Sequence, residues 1–483
     1  MKVIFILLWF LVFTKLLLFW LWLGQLKEYH LGRFFAHFEA QKFKKIVSSI
    51  WRLKYPKFTK KIIVIFFACL VAEIFLLFYF SFFRAIILTI FFIPLFVLSF
   101  QIPTLIWRSI IISKAKAKRA KFKELLVIGI TGSYGKTSTK EFLATILSEK
   151  YKVLKTLEHQ NSEVGISQCI LNDLKPEHQI FVVEMGAYNR KGIKLLSDIA
   201  KPKIGVLTGI NEQHLATFGS LENIIKGKYE LIESLPDDGL AIFNGNNPYC
   251  FQLYQKTIYP KKVYSLKPSI YGFPVDIWVK DIKIEKDFIS FRAVMKNDQA
   301  DFKINLLGAQ NIPNILAAAL VAKELGLTLN EVSRACQKIK PEQGGILLKK
   351  GINNLNIIDA TYSANPDGVI SHLEYLKTWS GKKIIVMPCL IELGKASKEV
   401  HKRIGQKIVE ACDFAIITTK ERFRDYNPPT ALQPKRQAPE ILLIENPKEI
   451  FERIKSFCRP GDVILLESRV PKELIRELVI TNQ

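Results

Sequence analysis

Val127-Ile-Gly-Ile-Thr-Gly-Ser-Tyr-Gly-Lys-Thr-Ser-Thr-Lys-Glu141 is the stretch from which the rest of the chain is read. Its apolar start predicts a buried strand, its glycines a tight turn, and Thr137–Leu147 an amphipathic helix. Strand, glycine turn and helix in that order form a phosphate cradle. Backbone N–H groups and the helix N-terminus face the phosphates, Lys136 neutralises charge, and the Thr137 hydroxyl is placed to ligate Mg²⁺. Thr131, Gly132, Ser133, Tyr134, Gly135, Lys136, Thr137 and Ser138 are therefore candidate nucleotide-binding residues. The spacing departs from the general pattern at Ile130, where a first glycine is expected. A chance Gly-Lys-Thr in a basic protein is the competing reading, and the flanking strand and helix weigh against it.

The 483 residues suffice for two to four domains, and their charge is unevenly spread. Residues 1–123 hold 20 Lys and Arg against three acids (Glu28, Glu39, Glu73), +17 of the chain's +25. The same quarter is the most apolar, a combination that points to a lipid surface and away from nucleic acid. The seven cysteines stand singly with no C-x-x-C pair, the usage of reduced thiols in a cytosolic domain.

Three apolar runs in that quarter, Val3–Leu23, Ile62–Phe80 and Ala85–Ile102, each approach the ~20 residues that cross a bilayer as a helix. The first contains Lys15, costly at mid-membrane. No small-residue cleavage site follows it, so an uncleaved anchor is expected over a signal peptide. Buried core helices are the competing reading. Ten Lys and Arg in residues 25–61 and seven in 108–123 place both segments on the cytoplasmic side. The expectation is a multi-pass inner-membrane protein with three crossings and cytoplasmic catalytic domains. Phe34, Phe35, Phe38, Phe43 and Trp51 interleave with the cations of the first loop, as for contact with anionic lipid headgroups; a solvated loop is the alternative.

From Glu124 short apolar runs alternate with amphipathic stretches, the pattern of an α/β domain with a parallel sheet. Strands are predicted at Lys152–Leu157, Gln179–Met185 and Ile204–Thr208. Glu184 ends the second, where a carboxylate beside a phosphate loop can hold a metal; an ordinary strand-end acid is the alternative. The third runs into Asn211-Glu-Gln-His214, and a lone histidine is more often structural than a ligand. Past Leu327 a second α/β pattern begins, with strands at Asn356–Ile358, Lys383–Met387, Phe414–Thr418, Ile441–Ile444 and Asp462–Leu466 and a helix over His401–Ala411. The expected architecture is thus N-terminal transmembrane helices over 1–123, a P-loop central α/β domain over 124–326 and a Rossmann-like α/β domain over 327–483.

Thr131-Gly-Ser-Tyr-Gly-Lys-Thr-Ser-Thr-Lys-Glu141, Glu184-Met-Gly, Asn211-Glu-Gln-His214-Leu, Lys226-Gly-Lys228-Tyr-Glu230 and Gly308-Ala-Gln-Asn311-Ile-Pro-Asn314 occur in one order. In that order they resemble the Mur ligases, the ATP-dependent amide ligases that build the peptidoglycan peptide. The family's own phosphate loop also lacks the first glycine. Tyr362-Ser-Ala-Asn365-Pro366 and Ile391-Glu392-Leu-Gly394 resemble the branch that takes a D-alanyl-D-alanine amine. The resemblance covers about residues 125–483.

The resemblance implies ATP and Mg²⁺ as cofactors, with Thr137, Glu184, His214 and a carbamylated Lys228 as metal ligands. It implies Lys136, Lys228 and His214 as catalytic residues and Asn311 as an adenine contact. Asn161, Asn365 and Glu392 would lie near substrate. A muramoyl peptide acceptor, a D-Ala-D-Ala-type amine, membrane lipid and cell-wall synthesis proteins are the implied partners, with no nucleic acid. The sequence departs from the family at Gly345-Ile346, where Gly-Arg is usual, at Asp359-Ala360 for Asp-Asp, and at Leu466-Glu-Ser-Arg469 for Lys-Gly-Ser-Arg. A soluble N-terminal UDP-binding domain is replaced by the apolar segments. Two alternatives stay open: a membrane-bound nucleotide-binding or scaffold protein that has lost ligation, and a related ligase with another substrate.

Overall fold

The computed structural model describes residues 2–26, 55–80, 82–99, 101–158, 160–362, 365–426 and 439–480. The chain divides into two compact units, residues 1–113 and 114–483.

In the first unit the helices α1 (Lys2–Leu26), α2 (Lys60–Tyr79) and α3 (Phe82–Ser99) pack around Trp9, Phe13, Leu17, Leu21, Ile62, Ile65, Ile93 and Val97. Within this cluster Glu73 is buried and accepts hydrogen bonds from Trp9 Nε1 (3.0 Å) and Thr89 Oγ1 (2.6 Å). The outward faces leave Phe67, Val71, Phe75 and Phe78 exposed. All three predicted runs are helical, but the expected three crossings are corrected. Among the described residues Lys60–Tyr79 and Ile87–Ala120 are long and apolar enough to span, and the stretch Trp9–Gln25 of α1 is a shorter apolar segment. Two helices of this kind are weak grounds for crossing, because a core helix or a signal sequence has the same length and composition. Most of the aromatic and basic loop lies within 27–54, outside the described residues.

The second unit opens on the end of α4 (Gln101–Ala120), tied down by Arg119, whose guanidinium donates to the carbonyls of Ala200, Phe122 and Leu125. A six-stranded parallel sheet follows, built from β1 (Leu126–Thr131), β2 (Val153–Lys155), β3 (Ile180–Glu184), β4 (Ile204–Leu207), β5 (Leu240–Asn244) and β6 (Lys261–Tyr264). Its order is β2-β3-β1-β4-β5-β6, which puts β1 between β3 and β4, with Ile130 opposite Glu184 and Thr131 opposite Leu207. The central strands are apolar on both faces, as a parallel sheet covered by helices requires. The consequence is positional: the loops after β1, β3 and β4 emerge side by side at one edge, where ligands bind in open α/β sheets.

An antiparallel three-stranded sheet, β7 (Trp278–Ile284), β8 (Ile289–Met295) and β9 (Asp298–Ile304), adds Phe291 and Phe302, stacked at 5.0 Å, to the same core. The sequence reading passed over it, although Ile289, Phe291 and Ala293 alternate with Ser290 and Arg292 as a half-buried strand should. Residues Ile315–Ala322 of the next helix, Asn311–Glu324, are all buried. Leu329, Val332, Ala335, Cys336 and Ile339 join this core, and Ile346 belongs to the next one, so the expected boundary at 326/327 falls inside the first core.

The C-terminal sheet comprises β10 (Leu347–Lys350), β11 (Asn356–Ala360), β12 (Lys383–Met387), β13 (Phe414–Ile417), β14 (Glu440–Leu443) and β15 (Val463–Glu467). Its order is β10-β11-β15-β12-β13-β14, parallel except for the edge strand β10. Alternate residues of its strands enter two separate apolar clusters, Ile358, Ile385 and Leu465 in one and Ile357, Ile384 and Ile464 in the other. The sheet is covered on both faces, a doubly wound layer as predicted.

Candidate active site

The loop between β1 and the helix Lys136–Leu147 is held from both sides. Thr131 Oγ1 donates to the Met185 carbonyl (2.9 Å), the Ser133 N–H to the Gly209 carbonyl (2.7 Å) and the Asn211 N–H to Ser133 Oγ (3.2 Å). The Tyr134 ring packs on Gly209, and its hydroxyl accepts from Asn247 Nδ2 (3.3 Å). Gly135 sits at φ 77° before the helix, where a Cβ would lie 2.5 Å from Asn314 Oδ1. Only glycine takes that turn without strain, and it keeps the cradle open to a ligand's phosphates. Lys136 Nζ lies over the loop, donating to the Gly132 carbonyl (2.8 Å), and burial lowers its pKa. Ser138 faces Gly345 on the segment leading to the C-terminal domain.

Thr137 and Glu184 meet as expected, Thr137 Oγ1 donating to Glu184 Oε2 at 3.0 Å. Asn161 Nδ2 donates to the other carboxylate oxygen (3.0 Å), so Asn161 stands beside the same group. Sequence reasoning missed Lys140. It lies one turn beyond Lys136 on the same helix face and is fully buried, 3.2 Å from Glu141 Oε1 and 3.5 Å from Glu184 Oε2. The i,i+4 spacing of Lys136 and Lys140 was the available signal. Tyr362, from the C-terminal domain, hydrogen-bonds Thr137.

His214 and Lys228 form the second cluster. Lys228, on the helix Leu221–Glu233, is 2% exposed; burial, with Lys136 nearby, lowers its pKa to about 7. Its Nζ lies 3.4 Å from the Ala187 carbonyl. His214 packs edge-on against Tyr188, and its Nδ1 is 2.6 Å from Glu392 Oε2. Burial holds its pKa below the ordinary histidine value, against the pull of Glu392. Glu392, expected near the amine, thus pairs with the histidine. Asn365 caps the helix Pro366–Leu376, accepting from the Gly368 N–H (2.9 Å). Asn311 Nδ2 donates to the carbonyls of Leu307 and Gly344, and its buried Oδ1 has no hydrogen-bond partner among the described residues.

At the three departures, Ile346 is buried in the C-terminal core. Ala360 is Glu467's neighbour in the sheet, and Glu467 is bound by His372 (2.7 Å). Asp359 is held by Lys349 and Thr361, both at 2.6 Å.

An adenine amine has the donor that Asn311 Oδ1 lacks, and the bare glycine turn suits phosphates. Among the described residues no three or more His, Cys, Asp or Glu converge as a metal cage. Mg²⁺ in nucleotide sites needs one or two carboxylates, with phosphates and water completing the shell, so Thr137 and Glu184 fit it.

Two family models match, the Mur ligase middle domain over residues 130–322 and the Mur ligase glutamate ligase domain over 347–469. Among curated proteins, the chain resembles UDP-N-acetylmuramoyl-tripeptide–D-alanyl-D-alanine ligases. The Bacillus subtilis protein is 28% identical over 73% of this chain and 76% of its own length. The Synechocystis protein is 31% identical over 71% of each, and the Escherichia coli protein 29% identical over 58% of this chain and 61% of its own length. Among solved structures, the MurF ligase of Thermotoga maritima in complex with ADP superposes with a TM-score of 0.66 at 25% identity, covering 77% of this chain and 83% of that one. MurF from Acinetobacter baumannii, at 23% identity and a TM-score of 0.68, shares the fold, covering 77% of this chain and 80% of that one. The expected multi-pass inner-membrane placement is overturned: the relatives are UDP-N-acetylmuramoyl-tripeptide–D-alanyl-D-alanine ligases, and among the described residues only two helices are long and apolar enough to span a membrane. With both catalytic-region domains matched in sequence order over an α/β framework of the same shape, the chain belongs to the Mur ligase family.

Proposed function

We propose that the protein joins a D-alanyl-D-alanine-type dipeptide to the terminal carboxylate of a muramoyl tripeptide, with conversion of ATP to ADP and phosphate, in peptidoglycan synthesis. The observation that carries this reading is convergence: Thr137 bonds Glu184 at the central sheet edge, and His214, paired with Glu392 of the C-terminal domain, feels the charges of Lys228 and Lys136. In the first step an acceptor carboxylate oxygen attacks the γ-phosphorus and the bond to ADP breaks, giving an acyl phosphate. In the second the dipeptide amine attacks the acyl carbon, loses a proton, and phosphate leaves with the electrons of the C–O bond.

Thr131, Gly132, Ser133, Tyr134, Gly135, Lys136, Thr137 and Ser138 cradle the triphosphate, and Asn311 takes the adenine. Thr137, Glu184, His214 and carbamylated Lys228 would hold Mg²⁺, which would supply positive charge against the transferring phosphoryl group. Lys136, Lys228 and His214 act at the reacting phosphate. Asn161 lines the cleft, and Asn365 orders the loop that receives the amine. The proposed ATP-binding domain runs from residue 124 to Ile339, where the first core ends, and the proposed ligase domain from Ile346 to residue 483. A pKa near 7 supports carbamylation of Lys228, because only a neutral amine adds CO₂.

A second reading, a nucleotide-binding protein that no longer ligates, is favoured by Ile346, an apolar residue buried in the C-terminal core where Gly-Arg is usual in the family. Purified protein supplied with ATP, D-Ala-D-Ala and UDP-linked muramoyl tripeptide decides between them. Ligation gives a pentapeptide by mass and phosphate release that needs both acceptor and amine; nucleotide binding without either product overturns the proposal.

A further inference from the structure

The segment Asn211-Glu-Gln-His214, which follows β4 and carries His214, reaches three separate elements of the C-terminal domain. Asn211 Nδ2 donates to Asp367 Oδ2 (2.7 Å) in the first turn of the helix Pro366–Leu376. Glu212 pairs with Arg403 (3.3 Å) on the helix Ser397–Ala411. His214 meets Glu392, on the loop after β12, at 2.6 Å. Two residues on, the Ala216 N–H donates to the Glu392 carbonyl (3.1 Å), so Glu392 grips the segment by side chain and main chain together. His214 and Glu392 each have φ of 65°. Non-glycine residues hold that left-handed conformation at a cost, when the surroundings over-determine it.

We infer that Glu392 is a positioning residue for His214, through which docking of the C-terminal domain and order at the nucleotide–metal site become one equilibrium. A carboxylate on one imidazole nitrogen fixes the tautomer and the ring's orientation, leaving Nε2 as the nitrogen directed to the site's ligand. The inference rests on the ligase reading and deepens it, giving Glu392 a coupling role in place of a substrate contact. Linkage then requires that a ligand of the C-terminal domain tighten nucleotide binding and the reverse.

Calorimetry of Mn²⁺ and a non-hydrolysable ATP analogue, with and without D-Ala-D-Ala, tests this on the full chain. In the wild type the dipeptide should lower the dissociation constant about tenfold, within the usual range of such coupling. Glu392→Gln keeps the side-chain volume and should lose the coupling; Glu392→Asp, which retains the charge on a shorter arm, should keep part of it. Arg403→Ala opens the same interface without touching His214 and should leave most of the coupling in place. Circular dichroism of each variant reports the fold, and the aspartate variant carries the test where the glutamine variant does not fold. Full coupling in Glu392→Gln, or equal loss in the glutamine and Arg403 variants, overturns the positioning role. A wild type that binds nucleotide without coupling overturns this inference alone, whereas one that binds no nucleotide overturns the ligase reading as well.

Discussion

Thr137 and Glu184, 47 residues apart in sequence, share a 3.0 Å hydrogen bond because β1 and β3 are neighbours with Ile130 and Glu184 in register. Glu184→Gln keeps this contact's shape and removes the charge that attracts a divalent cation. The expected outcome is a 10- to 100-fold rise in the Mg²⁺ concentration needed for half-maximal phosphate release, the scale seen when a metal site's supporting groups are altered. Lys136→Ala should abolish ATP hydrolysis at any Mg²⁺ concentration; unchanged turnover would remove the phosphate-loop reading.

Lys140 is the buried counter-charge to Glu141 and Glu184. Lys140→Met removes the ion-pair partner of Glu184, while Glu141 keeps Lys155, and breaking a buried pair from one side costs about 3–5 kcal/mol. Denaturant unfolding should show the loss. A midpoint equal to the wild type's would mean that solvent reaches these groups.

Burial, with Lys136 nearby, lowers the Lys228 pKa to about 7, from the ordinary lysine value of 10.5. The unfolded chain binds the proton more tightly, so the buried amine costs stability fully below pH 7, and the cost fades as pH rises toward 10.5. The whole effect is at most about 5 kcal/mol. Lys228→Met should therefore stabilise the protein more at pH 6.5 than at pH 10, while eliminating ligation. The neutral amine is lost as pH falls through 7, so ¹³CO₂ labelling followed by NMR should give a carbamate signal at pH 8 that declines by pH 6. A pH-independent stability difference would contradict the burial account.

Asn311 Oδ1 is a buried acceptor without a donor among the described residues. ATP carries the missing amine and inosine triphosphate does not, so wild-type kcat/KM should favour ATP by about tenfold or more. Asn311→Ala should erase the preference. Equal use of both nucleotides by the wild type would place adenine elsewhere.

The phosphate loop was legible because its signal is local: an apolar run, glycines at fixed offsets and a helix, with the Gly135 turn adopting the conformation the residue type allows. The position of Glu184 beside that loop was legible from its place at a strand end. Lys140 was missed because a lysine one turn into a helix looks like a solvated one until its burial is known. Glu392 was given to the amine because sequence cannot show which domain its carboxylate faces. The apolar runs of the first quarter are helices, as their length and hydropathy predict, but the same signal does not establish three crossings. Hydropathy measures composition, and a face packed on another helix has the same composition as one in lipid.

By itself the sequence determined the two parallel α/β layers, the nucleotide cradle and the family, since each depends on short-range periodicity and on motifs in order. Only the tertiary structure decided the antiparallel sheet in the central core, the buried Lys140 charge and the pairing of His214 with Glu392. The reason is physical. Those features are contacts between residues far apart in sequence, His214 and Glu392 being 178 positions apart, and their energies depend on burial and direction that no linear pattern encodes.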